Sequence, residues 1–443
     1  MVPSWFVPCT LFRVTRRSSS TASQTVDEPG EYRRVWCGKV VMTIGDQSIA
    51  RASGTSLTAF RFVLLIGVLS FFADFTYEGS RSIIGPYLGS LQATATIVAT
   101  VTGFGELLGY GLRLVSGRLA DWTGRYWPIT IFGYVVQMSS VPALALAGSW
   151  PVAAVLIIVE RIGKAIRNPP RDVMLSHAGK QVGGYGWVFG LHEALDQFGA
   201  MFGPLVIAVV LSHQGSYHEA FAVLLLPAII NIGFLLLARY LYPRPQEMEA
   251  SPPDMSATGL PRIYWIYLAG AALVAAGFAD YPVIAYHFGH TDSVPSQWIA
   301  IFYAVAMAVS GSGSLLFGRL FDRFGYAVLV VLTLISALFA PLVFLGGFWA
   351  ALLGAGVWGL GMGVHESIIP AAVAPMVPPQ RRASAYGLFT AGYGVFWFLG
   401  SVAIGVLYDV SLPATVAFCV AAELAAVPIF IWIGRRQPSD LRP

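Results

Sequence analysis

Gly117-Arg118-Leu119-Ala120-Asp121-Trp122-Thr123-Gly124 and Gly318-Arg319-Leu320-Phe321-Asp322-Arg323-Phe324-Gly325 are two copies of one phrase, their starts 201 residues apart. Each copy follows one long apolar run and precedes another, so the chain reads as two related halves embedded in a membrane. Two further correspondences keep the same order. Phe72-Ala73-Asp74-Phe75 matches Phe278-Ala279-Asp280-Tyr281 at a spacing of 206, and Tyr185-Gly186 matches Tyr386-Gly387, again at 201. Repeats that run in the same direction are an arrangement of transporters rather than of enzymes.

Composition agrees. Hydrophobic residues make up 56% of the chain and charged residues 11%, against about 25% charged in an ordinary globular domain. A soluble domain of normal surface is excluded, and an all-α polytopic membrane protein is expected. The formal net charge of +4 is no nucleic-acid signature, because the basic residues stand singly at the ends of apolar runs, where they report topology. Cys9, Cys37 and Cys419 are too scattered for a disulfide framework or a thiolate metal site.

A bilayer-spanning helix needs roughly 20 apolar residues, and twelve such runs can be placed: 60–84, 93–116, 127–148, 150–168, 185–211, 219–241, 263–286, 296–317, 326–346, 348–369, 384–408 and 412–434. They divide into a six-helix bundle over 60–241, a Pro-rich linker over 242–262, a second six-helix bundle over 263–436 and a tail over 437–443. Residues 1–59, with Arg13, Arg16 and Arg17 before a Ser-rich stretch, hold no spanning run. They are expected to be a disordered extension, with Met42 opening the native chain. Arg118 and Arg125, Arg167 and Arg171, Arg239 and Arg244, Arg319 and Arg323, Arg381 and Arg382, and Arg435 and Arg436 fall on one side of this layout. The other side has only Arg81, and this asymmetry is expected to put both termini and the linker in the cytoplasm; a plasma-membrane location is expected.

The repeated phrase resembles the loop signature of the major facilitator superfamily: Gly, three residues, Asp, a basic position, any residue and Gly, followed by basic residues. Gly117, Asp121, Gly124 and Arg125 match in the first copy, which departs at Trp122. Gly318, Asp322, Arg323 and Gly325 match in the second. In span 5, Gly190, Gly199 and Gly203-Pro204 resemble that family's drug/proton-antiporter motif, with Ile207-Ala208 where a closing Gly pair is usual. The resemblance implies twelve helices in two parallel-repeat bundles. It also implies a gating role for the loops and a central cavity lined by spans 1, 4, 7 and 10.

Ionisable residues inside a bilayer are costly and mark pathways. Asp74 and Glu78 in span 1, Glu160, Arg161 and Lys164 in span 4, Asp196 in span 5, Asp280 in span 7, and His365 and Glu366 in span 10 are therefore the candidates for proton coupling or substrate contact. Asp74 and Asp280 lead, being repeat-related and without a basic neighbour in their own helices. The alternative for each acid is a structural ion pair. The expected function is proton-coupled efflux of a small solute by alternating access. A proton symporter importing a nutrient or organic anion stands second, and a non-transporting membrane receptor third. No cofactor, metal or nucleic acid is expected; the partners are a small-molecule substrate, protons and the lipid bilayer, around a monomer.

Overall fold

The computed structural model describes residues 45–179, 182, 185–244, 260–369, 372–373, 376 and 382–436. The chain divides into a unit Met1–Ala50 and a unit Arg51–Pro443, and the contacts below all lie within the second. Regular structure among the described residues is helical throughout.

Among the described residues, eleven helical segments are long and apolar enough to cross a membrane: Leu57–Ser90, Ala95–Ala120, Tyr126–Leu146, Leu191–Ser212, Tyr217–Leu241, Arg262–His290, Ser296–Phe321, Tyr326–Phe344, Phe348–Glu366, Ala385–Val410 and Leu412–Arg436. They are spans 1 to 3 and 5 to 12. Span 4, the helix Trp150–Gly179, is long enough at 30 residues. Charge alone separates it from the others, since Glu160, Arg161, Lys164, Arg167 and Arg171 follow one another along it. The helix of span 1 is longer than its apolar run, extending from Gly45 to Ser90.

Both copies of the repeated phrase end in a turn that requires glycine. Gly124 has φ 63° and its N–H donates to Ala120 O at 2.8 Å; Gly325 has φ 58° and its N–H donates to Phe321 O at 2.7 Å. Side chains with a Cβ are strained in this left-handed region, which is why helices so often stop on glycine. Gly117 lies in the helix Ala95–Thr123 and Gly318 in Ser296–Phe324. Arg125 and Arg323 are exposed. The side chains of Asp121 and Asp322 lie outside the described residues, and so do the gating contacts expected of them.

Two spans are irregular where the site forms. Span 7 breaks after the helix Arg262–Gly277, and a second helix, Tyr281–His290, starts with Asp280 as its N-cap. Asp280 Oδ1 accepts from Tyr281 N–H at 3.0 Å, and the carbonyl of Ala279 accepts from Trp358 Nε1 at 2.8 Å. Such partners let non-helical backbone persist at membrane depth. Span 10 passes from the helix Phe348–Gly363 into a π turn over Val364–Ile368, a widening that often accompanies functional sites.

Packing fixes which faces meet. A Cβ on Gly199 or Gly203 would overlap the carbonyl oxygens of Phe71 and Phe75, so the antiporter-like motif brings span 5 backbone-to-backbone against span 1. Pro204 sits inside this continuous helix, Tyr185–Ser212. Of Gly190 only its place in that helix is described. On the side of the molecule opposite the repeated phrases, Gly85 is pressed against Pro282 and Gly289 against Pro86. There the carboxylate of Asp409, at the end of span 11, accepts from Ala95 N at 3.1 Å, Thr96 N at 3.0 Å and Thr96 Oγ1 at 2.5 Å. The face away from the motif loops is therefore closed by contacts between the two halves.

Candidate functional site

Arg81, near the closed end of span 1, is the centre of the buried charge. It is 3% exposed, pairs directly with Asp280 of span 7, and lies 3.4 Å from Glu106 of span 2 and 3.9 Å from Glu78 one turn earlier. Glu106 also meets Arg161 of span 4 at 3.1 Å, and Glu78 accepts from Tyr303 of span 8 at 2.5 Å. Arg161 and Lys164 both rest on the ring of Tyr77, at 4.6 and 3.7 Å from its centre. Guanidinium suits such a node, since one planar group can donate to several carboxylates.

A second network lies within the first half. Arg167 reaches Asp74 at 3.4 Å, Tyr134 Oη at 2.9 Å and Gln137 Oε1 at 2.5 Å, and Gln137 Nε2 donates to Glu160 at 2.7 Å. The repeat-related Asp74 and Asp280 thus belong to different networks, each facing an arginine from another helix. A third group sits in span 5. Asp196 is 3.4 Å from His192 Nδ1, and Ser70 Oγ lies 2.7 Å from His192 Nε2 while accepting from Arg171 at 3.1 Å. His192, Glu193 and Asp196 each bring one ligand atom within 4.8 Å of the others, but the Arg171 guanidinium beside this group counts against a divalent cation.

His365 and Glu366 diverge. His365 is buried, bonded to the Tyr393 hydroxyl, with Phe278 4.2 Å from its ring. Glu366 is exposed and lines a cavity of about 60 Å³ together with Glu78, Arg81, Glu106, Arg113 and Lys164. Spans 2 and 8 therefore contribute to the centre beside spans 1, 4, 7 and 10. Tyr303 and Gln137 join these networks and Asp409 ties the closed face, though the sequence pattern does not single them out. Asp409 alone carries a usable signal, an acidic residue on the side that the arginines avoid.

The geometry is a charged centre buried among helices of two repeated halves, with backbone breaks at its edge. A family model described as Major Facilitator Superfamily matches residues 63–345 and 263–443. The chain belongs to the major facilitator superfamily. An uncharacterised protein of Mycobacterium tuberculosis is 40% identical over 392 residues, covering 86% of this chain and 96% of its own length. An uncharacterised MFS-type transporter of Methanocaldococcus jannaschii is 24% identical over 386 residues, covering 84% and 94%. Among solved structures, the nucleoside transporter NupG superposes with a TM-score of 0.68 at 15% identity, covering 85% of this chain and all of the other. A POT family transporter in complex with 5-aminolevulinic acid also gives 0.68, at 11% identity, covering 84% and 95%. At such identities these structures bear on the fold alone. As a member of the superfamily the protein is a multi-pass secondary transporter and not an enzyme.

Proposed function

We propose that this major facilitator superfamily member couples the export of a small solute to proton entry, with Asp280 as the coupling carboxylate. One observation carries the reading. Asp280 is fully buried at the break in span 7; its Oδ1 is held by Arg81 and by Tyr281 N–H, while its Oδ2 has no partner among the described residues. A proton arriving at Oδ2 neutralises the acid and removes the Coulombic tie between spans 1 and 7. Losing one charge of a buried pair is worth about 3–5 kcal/mol, enough to invert a two-state population. The span 7 break supplies the hinge on which the Tyr281–His290 helix moves. Export is preferred because the antiporter-like glycines hold span 5 against span 1.

The second reading, proton-coupled import of an organic anion, draws on the cations that span 4 presents at Tyr77. With both termini cytoplasmic, the closed face is the outer one, and the cavity is reached from the cytoplasm. The test is solute flux in proteoliposomes with an imposed proton gradient, in both directions, for wild type and Asp280→Asn. Wild-type flux should follow the gradient and the variant should keep only gradient-independent exchange. Gradient-driven transport by Asp280→Asn at the wild-type rate would remove Asp280 from the coupling role.

A further inference from the structure

Most charges around the central cavity answer one another. Arg81 is shared among Asp280, Glu106 and Glu78, and Arg161 between Glu106 and Glu160. Three groups are left over. Lys164 makes no direct ion pair or hydrogen bond among the described residues and rests on the face of Tyr77 at 3.7 Å. Arg113 makes no direct ion pair among the described residues; it lies over the face of Tyr110 at 5.5 Å, and its Nε is buried without an acceptor among them. Glu366 is exposed and likewise makes no direct ion pair or hydrogen bond among the described residues. All three line the same cavity, the two cations from the first half and the carboxylate from the second.

Their position along the helices matters as well. Lys164 lies one turn beyond Arg161 towards the motif side, Arg113 two turns beyond Glu106, and Glu366 at the motif-side end of span 10. The charges without a direct partner therefore stand on the motif side of the Arg81 node. Unpaired charges within a membrane are costly, and a solute of opposite charge relieves that cost. Two cations beside two aromatic rings suit an oxyanion, and a carboxylate on the facing wall suits an ammonium. A solute carrying both groups would bridge the two halves. A plain anion would engage one wall only.

We propose that the transported solute is a small amine-bearing organic acid, its oxyanion held by Lys164 and Arg113 and its ammonium by Glu366. This rests on the transporter reading above, but neither on its direction nor on Asp280. The cavity, at about 60 Å³, is smaller than the roughly 300–1,000 Å³ of small-molecule sites, so the walls part to admit such a solute and close on it. Binding that draws both walls together links occupancy to the conformational change.

The test is equilibrium binding to the purified full chain in nanodiscs, without any gradient. The probes are ω-aminoalkanoates of four to eight carbons and the matching ω-aminoalkylphosphonates, which separate carboxylate from phosphonate as the oxyanion, with the parent alkanoic acids and alkylamines alongside. Probes with both groups should bind, and those with one group should bind at least about tenfold more weakly. Lys164→Gln should weaken binding by about ten- to a hundredfold, Lys164→Arg should restore most of it, and Glu366→Gln should abolish the preference for the amine. Equal binding of alkanoic acids or alkylamines by wild type, or an amine preference that survives Glu366→Gln, overturns the proposal. If no probe binds while another solute is still driven by a proton gradient, the proposal fails and the coupling reading stands. Normal probe binding together with flux indifferent to the gradient upholds the proposal and overturns the coupling reading.

Discussion

Arg81 holds more of the site together than any other side chain, because three carboxylates from spans 1, 2 and 7 converge on it. Removing the cation leaves three acids in a place that water does not reach freely, at a cost of about 3–5 kcal/mol. Arg81→Gln should therefore unfold at a lower temperature than wild type, and the gap should narrow as pH falls, since protonation cancels the uncompensated negative charge. A gap that is the same at every pH, measured by thermal unfolding in detergent, would mean that the node is not held by charge. Among individual residues, the charges themselves were readable in the sequence because they are so rare in apolar runs. Their partners were not. Asp74 and Asp280 have no basic neighbour in their own helices, and the arginines that meet them arrive from spans 4 and 1 through helix rotations that a single sequence does not encode.

Elements explain why matched positions behave differently. Asp280 caps a helix because Pro282 follows it in the first turn, where proline's missing N–H is harmless. The position in span 1 that corresponds to Pro282 is Thr76, whose Oγ1 donates to Phe72 O at 2.8 Å inside an unbroken helix. Asp followed by Pro is a helix-start signal, but the long apolar run around it reads as one continuous span. Asp409 shows an element tied from outside. It caps span 2 from span 11, while Thr94 Oγ1 still accepts from Ile97 N at 3.3 Å, so span 2 keeps one cap of its own. Asp409→Ala should therefore leave the helix intact yet remove a contact worth about 1 kcal/mol. The expected result is a several-fold gain in the state open on that face, read from distances between spin labels on spans 2 and 11. An unchanged distance distribution would show that the glycine contacts alone keep the face shut.

For the whole molecule, the all-helical membrane fold, its many apolar spans and the superfamily were legible from the repeated phrase and the apolar lengths. Span 4 was readable as a span despite its charges, but not its run on to Gly179. The state of the molecule was not legible, because closure depends on contacts such as Gly85 with Pro282 that are far apart in sequence. The closed face and the exposed Glu366 together predict one-sided access. A Glu366→Cys variant should react with a membrane-impermeant maleimide in inside-out vesicles and stay unlabelled in right-side-out ones. With Cys9 and Cys37 replaced by Ser, the buried Cys419 contributes little background. Equal labelling from both sides would contradict the closure.

Span 1 runs unbroken over the 34 residues Leu57–Ser90, about 51 Å at 1.5 Å per residue, whereas its counterpart span 7 is jointed at Phe278–Asp280. Although the halves descend from one pattern, they are not mechanical equals: one carries a strut, the other an elbow. In the proposed cycle, bending is expected to concentrate on three residues of the second half, while the first half tilts as one piece.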